Sequence, residues 1–587
     1  MIERFNRLAR GIIFLRHHLS DKQFLIVSSI IVGLLSGGAA VILKSFVHSI
    51  QHWVERYSYE DFFLVIFFPL VGIAFTVILI NTVWKNTFKK GSAEITYAIT
   101  KKSSQLPISH TYSHIITSAI TVGFGGSTGL ESPMVSTGSA IGSNVARAFR
   151  LSYKEKTILL ACGAASGIAA AFNSPIAGVL FAIEVLLADI SAAAFIPLII
   201  AAATGALLAK IVLTEGVLLT FTLVSPFDYH NTHYYLLLGL LSGFVALYYA
   251  KSFEFVHDLM KSIKKTWLRV LIGGVLLAGL VVLFPSLLGE GYESIKSLSN
   301  LNTQTIFDRS IIAHWVNSEY AILLFLGLVV LLKSVAAAIT IGSGGNGGSF
   351  GPSLFMGAYL GYVFARLLNM LLGTDIPEVN FALVGMAGML SGVFYAPLTA
   401  IFLIAEITGG YGLIIPLMIV SAISLAVANY FQPKSMEGKK LAKLLNASID
   451  DRDQYLLSRL DLSQLIETNF LTIKPNENLE ALRKTIATSN RNTFAVVNEA
   501  QELVGIIQLD DVRQIIFSSD ASEILVKDLM NVPAGELTLQ DNLQTALKKF
   551  DTTGLWNLPV VDQKRYVGFV SKSSLLARYR HELIRSV

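Results

Sequence analysis

Two short motifs of glycine and proline are the parts of this chain whose residue types and spacing suggest chemistry. They are Gly-Leu-Glu-Ser-Pro at 129–133 and Gly-Ser-Phe-Gly-Pro at 348–352. Proline suits the first turn of a helix, where its missing N–H needs no partner, and glycine lets the backbone approach a ligand closely. Each motif therefore predicts a loop that opens a helix. The free N–H groups and the dipole of a helix N-terminus favour an anion without a full positive charge that would trap it, which suits a permeating halide.

The two motifs belong to an internal repeat. Each is followed at equal spacing by further glycines, and a second matched set lies downstream in the same order. Duplicated halves with interrupted short helices are typical of a transporter whose substrate site lies between the repeats. Close helix packing would be the better explanation for one isolated small-residue motif. The matched positions are Gly138 and Gly142 with Gly357 and Gly361, then Gly163, Ala165, Phe172, Pro175 and Glu184 with Gly385, Ala387, Phe394, Pro397 and Glu406.

Glu131, inside the first motif, is the first candidate for a functional side chain. A carboxylate between helix N-termini is itself an anion, so it can occupy an anion site and block the path until it is protonated or displaced. The alternative is a buried glutamate that only caps a helix, but ionisable groups at membrane depth are costly and usually functional. Glu184 and Glu406 are different, because their symmetric placement after prolines predicts that they tie helix ends together.

The composition predicts the elements that must position these residues. Of 587 residues, 53% are hydrophobic and 15% charged, and the mean hydropathy is +0.58, which indicates a membrane protein. From residue 22 to 432, apolar stretches alternate with Gly, Ser and Pro, and we expect an all-α polytopic membrane domain there. Stretches such as 132–148 and 175–187 are shorter than the roughly 20 residues that span a bilayer. They predict broken helices lining a pathway.

Charge and cysteine content narrow the possibilities. The basic segment 1–21 precedes an apolar run too long for a signal peptide, so we expect a cytoplasmic N-terminus and an integral protein of a bacterial inner membrane. The net charge of +5 gives no reason to expect nucleic acid as a partner. Cys162 is the single cysteine, which excludes a disulfide within the chain and a cysteine-based metal site.

These motifs, together with Phe-Asn-Ser-Pro-Ile-Ala-Gly at 172–178 and Glu184, resemble the CLC family of chloride channels and proton/chloride antiporters. The resemblance implies a homodimer in the lipid bilayer with one pathway per subunit, built from two inverted repeats. It also implies that Glu131 is the gate, and that protons are a second substrate in antiporters. The implied chloride-binding residues are Gly129, Leu130, Ser132, Ser349, Phe350, Gly351 and Ser92.

Three positions depart from the family pattern. Val185 stands where antiporters of the family carry a proton-relaying glutamate, and valine cannot carry a proton. This departure favours a channel or weak proton coupling, and the alternative is a strict antiporter with another proton route. The serine of the family's first motif aligns with Ser92 if a gap is placed and with Lys90 if not. Glu437 aligns with a tyrosine that closes the inner side of the pathway, so it is the candidate inner gate.

A second region follows a predicted linker at 433–460. A β-β-α pattern occurs at 492–510 and again at 556–573, and the tandem resembles a pair of CBS domains, assigned to 461–518 and 519–587. CBS pairs often bind adenine nucleotides, through a Thr or Ser followed three residues later by Asp. Here Gln508 and Asp511 occupy these positions in one copy, and Ser571 and Ser574 in the other. A structural or dimerising tail without nucleotide is the alternative.

Two other function classes were weighed against anion transport. An enzyme would need a nucleophile with a base or a set of metal ligands, and the 11 histidines form no spaced ligand cluster, so we expect neither catalysis nor a required cofactor or metal. A cation or metal transporter with a CBS tail would place several carboxylates in the membrane. This chain offers helix N-termini and few acidic residues instead, which favours chloride.

Overall fold

The structure is a computed structural model. It describes residues 18–58, 62–85, 87–187, 192–213, 221, 225–299, 306, 310–313, 318–445, 462–517, 523–541 and 543–585. The chain forms two compact units, Met1–Leu444 and Leu445–Val587. Most of the basic segment predicted at 1–21 lies outside the described residues, as do residues 446–460 of the predicted linker.

The described part of the first unit is built from helices. We number them α1 to α17 in chain order: Asp21–Ser58, Phe62–Val83, Ser92–Lys101, His110–Gly123, Glu131–Ala148, Tyr153–Phe172, Pro175–Phe181, Ala192–Val212, Thr232–Ser262, Thr266–Leu283, Tyr292–Ser299, Glu319–Gly342, Phe350–Leu372, Glu378–Phe394, Pro397–Ile407, Ile414–Phe431 and Met436–Leu445. A π-helical turn, Ala182–Leu186, follows α7, and 3-10 turns occupy Tyr229–Asn231 and Pro285–Leu287.

Helix length and composition support the membrane prediction. Among the described residues, 8 helices are long and apolar enough to cross a bilayer. Helices α7 and α15 are much shorter, with 7 and 11 residues. They are the short helices that begin at Pro175 and Pro397 in the two predicted repeats. The unit also extends past the predicted boundary at 432, because α17 is held to α9 by ion pairs from Lys439 and Lys443 to Glu254.

The two predicted repeats pack in the same way. Helices α5 and α6 cross with Gly138 against Gly163, and α13 and α14 cross with Gly357 against Gly385. A Cβ added at any of these four glycines would overlap a backbone carbonyl of the facing helix. Glycine is therefore required at these crossings, where the backbones touch. This common packing explains why the glycine spacing is the same in both halves.

The second helix of each repeat also ends alike. Asn173, directly after the last residue of α6, has φ 55°, and Tyr395, directly after the last residue of α14, has φ 60°. Both lie in the left-handed region. Two residues later, Pro175 and Pro397 begin α7 and α15. A left-handed residue stops a helix, and a proline can start the next one without a lost hydrogen bond. The sharp turn between the two helices follows from this sequence.

Glu184 and Glu406 join the repeats by capping each other's short helix. Glu184 accepts hydrogen bonds from the backbone N–H of Leu398 (3.0 Å) and Thr399 (2.8 Å) at the start of α15. Glu406 accepts from the N–H of Ile176 (3.0 Å) and Ala177 (2.9 Å) at the start of α7. The prediction that these glutamates tie helix ends together is confirmed. Each satisfies N–H groups that a helix N-terminus leaves unpaired.

The second unit contains two similar halves. Strands β1 (Thr472–Ile473), β2 (Thr493–Val497) and β3 (Leu503–Gln508) form one sheet, and β4 (Leu537–Thr538), β5 (Asn557–Asp562) and β6 (Arg565–Ser571) form the other. In each sheet the first pair is parallel and the second antiparallel. The predicted β-β-α pattern is confirmed in both copies. The helices, α18 to α22, are Leu479–Thr488, Leu509–Val512, Val526–Leu529, Leu543–Thr553 and Lys572–Arg585.

The reciprocal caps should matter for stability. We expect Glu184→Ala and Glu406→Ala each to lower the free energy of unfolding by about 1–3 kcal/mol, because two N–H groups at a helix N-terminus lose a charged partner. The measurement is thermal unfolding of the detergent-purified protein. Glu293→Ala is the matched control, since that side chain is 85% exposed and only pairs with Lys296. Equal melting temperatures for all three variants would contradict a capping role.

Candidate anion pathway

The loops that precede α5 and α13 meet at their glycines. Gly129 donates its N–H to the carbonyl of Gly348 at 3.0 Å, and Gly348 donates to the carbonyl of Gly129 at 2.8 Å. The Thr128 hydroxyl also donates to Gly348 O at 3.0 Å. This two-residue antiparallel bridge joins the two predicted motifs and brings the N-termini of α5 and α13 together. The Gly129 N–H, predicted to contact chloride, is used by this bridge.

Glu131 is the first residue of α5, and its carboxylate reaches the other repeat. One oxygen, Oε2, accepts the backbone N–H of Gly351 at the start of α13, at 3.2 Å. The other, Oε1, accepts the hydroxyl of Tyr292. The residue is only 3% exposed. A buried carboxylate thus lies where the sequence predicted an anion, bound by an amide at a helix N-terminus.

Phe350 and Ser349 form the other side of this site. The ring of Phe350 is buried and packs against Phe172, Phe181 and Phe394, with centroid distances of 5.7, 6.0 and 5.5 Å. The carbonyl of Ser349 accepts the hydroxyl of Tyr249 at 3.3 Å. Phe172 and Phe394 are equivalent positions of the two repeats, so the aromatic rings line the contact between the halves. Phe350, one of the implied chloride-binding residues, therefore forms an apolar wall of this site.

A cavity of about 500 Å³ runs from Glu131 towards the ends of α9 and α17. Lys443, at the far end, has 70% of its side chain exposed, so this end reaches solvent. The basic side chains along the cavity are Lys90, Lys261, Arg269, Lys440 and Lys443, and the acidic ones are Glu131, Glu254, Asp258 and Glu437. Ser132, Ser349 and Phe350 line the end near Glu131.

Ser92 and Glu437 meet along this cavity. Glu437 accepts hydrogen bonds from the Ser92 hydroxyl at 3.0 Å and from the N–H of Ala93 at 3.2 Å, at the start of α3. Its other oxygen pairs with Lys440 at 2.8 Å. Lys90 donates instead to the carbonyls of Gly344 and Gly345, both at 2.8 Å. Both candidates for the serine position therefore line the cavity, but only Ser92 lies at a helix N-terminus.

The structure contains a charged cluster around Glu290 that the sequence motifs do not predict. Glu290 Oε1 accepts the backbone N–H of Leu130 at 3.3 Å and interacts electrostatically with Lys44 and Lys333. Lys333 is fully buried and donates to the carbonyls of Leu287 (3.3 Å) and Gly289 (3.0 Å). Two lysines inside apolar runs are a signal that would have found this cluster, because such charges are costly in a membrane and need partners.

The remaining predicted site residues lie elsewhere. Val185 lies in the π-helical turn and packs, partly buried, against the main hydrophobic core. In the second unit, Asp511 accepts a hydrogen bond from the Asn531 amide at 2.9 Å. Ser571 donates to Glu467 at 2.9 Å and accepts the N–H of Ser574 at 3.1 Å. Nucleotide binding by Asp511 and Ser571 stays a prediction.

Comparison with known proteins gives consistent results for both units. Residues 72–429 match the family model described as voltage gated chloride channel, and residues 462–518 and 526–581 match the CBS domain model. A putative chloride channel protein ClcB-like from Ralstonia nicotianae is 29% identical over 364 residues, 60% of this chain and 80% of that protein. Chloride channel protein CLC-f from Arabidopsis thaliana is 27% identical over 547 residues, covering 80% of this chain and 67% of that protein.

A further relative and two solved structures resemble the chain. The H(+)/Cl(-) exchange transporter ClcA from Vibrio parahaemolyticus is 32% identical over 309 residues, 51% of this chain and 62% of that protein. The crystal structure of a slow cyanobacterial Cl-/H+ antiporter has a TM-score of 0.62 at 22% identity and covers 73% of this chain and 99% of that one. The crystal structure of a eukaryotic CLC transporter has a TM-score of 0.60 at 17% identity and covers 94% of this chain and 97% of that one. At these identities the structural likeness concerns the fold.

The glycine bridge between the two loops can be tested directly. A Cβ at Gly348 would overlap the side chain of Ser132, so we expect Gly348→Val to separate the loops and to destabilise the protein by about 1–3 kcal/mol. The measurement is melting temperature and monodispersity after detergent extraction. Gly410→Val is the control, because a Cβ there meets nothing within 4 Å. The bridge is unimportant if both variants behave like the unmodified protein.

Proposed function

This chain belongs to the family of voltage-gated chloride channels, and on that premise we propose that it carries chloride across a membrane through a pathway gated by Glu131. The observation that supports the gate is the position of the Glu131 carboxylate. It is an anion bound by the Gly351 N–H at the N-terminus of α13, with the Tyr292 hydroxyl as second donor. Donors that each hold one oxygen of this carboxylate can also hold a chloride ion once the side chain leaves.

Opening in this proposal requires the carboxylate to leave its donors. Protonation removes the negative charge that the Gly351 N–H stabilises, and a chloride ion arriving from the cavity competes for the same N–H. Either event frees the N-terminus of α13 for a permeating anion. Because these donors are neutral, they bind the ion without trapping it. The aromatic side chains around Phe350 form an apolar wall beside these polar contacts.

The lysines at the cavity mouth support an orientation. Lys440 and Lys443 lie there, where they pair with Glu437 and Glu254. Lysine and arginine beside membrane spans favour the cytoplasmic side, and acidic residues contribute little to this preference. We therefore propose that the cavity opens to the cytoplasm, in a bacterial inner membrane. The homodimer, with one pathway in each subunit, is proposed from the family resemblance alone.

Proton coupling is proposed to be weak or absent. Val185 occupies the position of the family's proton-relaying glutamate, and its side chain packs against the apolar core. Valine neither accepts nor donates a proton, so protons that reach Glu131 need another route. A channel or a weakly coupled transporter is the simplest consequence. Strict antiport through a different proton route is the competing proposal.

Glu437 is proposed as the inner gate. Its carboxylate accepts from Ser92 and the Ala93 N–H at the N-terminus of α3, as Glu131 accepts from Gly351 at α13. The arrangement places one tethered carboxylate at each of two helix N-termini along the same cavity. Chloride would have to replace both. Ser92 is proposed as the serine that contacts chloride when Glu437 leaves.

For the second unit we propose that an adenine nucleotide binds at Asp511 and Ser571 of the CBS pair. Asp511 is exposed and bonded to Asn531, whereas Ser571 is bonded to Glu467. A nucleotide at Ser571 would have to displace the Glu467 carboxylate. The site at Asp511 is therefore the better candidate of the two.

Chloride efflux from proteoliposomes, with external pH recorded at the same time, tests the gate and the coupling. We expect chloride efflux from the unmodified protein with little proton movement. We also expect chloride efflux in Glu131→Ala, in which no side chain at position 131 has to be protonated before chloride passes. Proton uptake that follows chloride efflux and vanishes in Glu131→Ala would establish antiport instead. Absence of chloride flux from the folded, unmodified protein would overturn the proposed function and favour a cation substrate.

The inner gate predicts a gain of flux. We expect Glu437→Ala to raise chloride efflux about three- to tenfold, because the Ser92 hydroxyl and the Ala93 N–H lose their tethered competitor. Asp258→Ala is the matched control, since Asp258 lines the same cavity but pairs with His257 rather than with a helix N-terminus. A similar rise in both variants would mean that the effect is one of general cavity charge.

A further inference from the structure

The segment at 289–292 carries two groups that reach the N-termini of α5 and α13. Tyr292 donates its hydroxyl to the Glu131 carboxylate, and Glu290, two residues earlier, accepts the N–H of Leu130 at 3.3 Å. Glu290 is flanked by Gly289 with φ +60° and Gly291 with φ +87°. Glycine adopts this left-handed conformation at little cost, and a Cβ at Gly291 would overlap the ring of Phe355. The local sequence is thus specialised to hold Glu290 in place.

The surroundings of Glu290 are charged on several sides. The groups that face it are Glu131 on α5, Lys44 on α1 and Lys333 on α12, with Tyr292 on α11 close by. Lys44 donates to the carbonyl of Ala171 and lies 5.9 Å from the centroid of the Phe172 ring. The cluster therefore contains two carboxylates and two ammonium groups, which balance when all four are ionised. Loss of one negative charge leaves a net positive charge that an anion can neutralise.

The cluster lies next to the gate but outside the cavity. Among the described residues that line the cavity, Glu131 is the only member of the cluster, whereas Tyr292, Glu290, Lys44 and Lys333 do not line it. Glu131 thus separates the water-accessible cavity from the charges behind it. An anion that passes Glu131 would next meet the Leu130 N–H and the two lysines. In the structure, the Glu290 carboxylate occupies that N–H.

We propose that Glu290 is a third tethered carboxylate of the anion pathway, which occupies the N-terminus of α5 as Glu131 occupies that of α13 and Glu437 that of α3. Chloride binds there, between the Leu130 N–H and the charges of Lys44 and Lys333, only after Glu290 is protonated or swings away. This inference deepens the proposed function and rests on it. It differs from a purely capping role, because a cap would stay bound to Leu130 throughout transport.

The consequence is a pH dependence that survives removal of the first gate. Glu131→Ala removes one titratable blocker and leaves Glu290 and Glu437, so chloride efflux in this variant should still rise as the pH falls. We expect the double variant Glu131→Ala/Glu290→Gln to show efflux at pH 7 about tenfold above Glu131→Ala, and a weaker pH dependence, since only Glu437 then remains. The factor corresponds to the loss of one charge-assisted hydrogen bond of the tethered competitor.

The experiment measures chloride efflux from proteoliposomes between about pH 4 and pH 8, a range that covers the usual titration of carboxylates. Glu131→Ala/Glu293→Gln is the matched control, because Glu293 lies one residue from Tyr292 on the same helix but is 85% exposed. This control should match Glu131→Ala in rate and pH profile. Glu131→Ala/Glu290→Asp keeps a titratable group with a shorter reach, so it should keep the pH dependence with a shifted midpoint.

Two results would overturn the proposal. One is a flat pH profile in Glu131→Ala itself, and the other is an unchanged profile when Glu290→Gln is added to it. Melting temperatures identify a variant that fails to fold, in which case Glu290→Asp carries the test. Failure of the proposed function itself is distinct, because the unmodified protein would then transport no chloride at any pH.

Discussion

An anion at membrane depth needs donors that bind it without neutralising it permanently, and the helix N-termini brought together by Gly129 and Gly348 meet this constraint. The glycine bridge fixes the distance between α5 and α13, so that a side chain from one reaches the N–H groups of the other. The close crossing of α5 with α6 and of α13 with α14 then holds each half rigid. The broken helices α7 and α15, and the reciprocal caps of Glu184 and Glu406, join the halves on both sides of the site.

Carboxylates satisfy these N-termini in the structure. Glu131 accepts an N–H at the start of α13, and Glu437 accepts one at the start of α3. Glu290 accepts an N–H at the start of α5. The same physical rule underlies the proposed closed state and the proposed route of opening, because an N–H that holds a carboxylate oxygen can hold a chloride ion. Lys44 and Lys333 place two basic groups near the buried carboxylates. Transport in this view is an exchange of tethered anions for free ones.

The departures from the family pattern fit this picture. Glu437, proposed to stand in place of a tyrosine, carries a charge that its neighbours Ser92 and Lys440 can hold. Val185, proposed to stand in place of a proton-relaying glutamate, makes an apolar contact with the core. In the proposed mechanism, both departures favour competition between anions over a proton relay.

The sequence by itself determined the repeats, the two broken helices and the class of ligand, because glycine, proline and glutamate at fixed spacing act through local backbone geometry. It also predicted that the motifs of Glu131 and Phe350 open helices, and it predicted both β-β-α units, since these follow from motifs that lie together in the chain. Only the tertiary structure decided that Gly129 pairs with Gly348, that Glu437 caps the helix that begins at Ser92, and that Glu290 accepts the N–H of Leu130. These contacts join residues more than 150 positions apart, and no local pattern encodes which helix ends will face each other after packing.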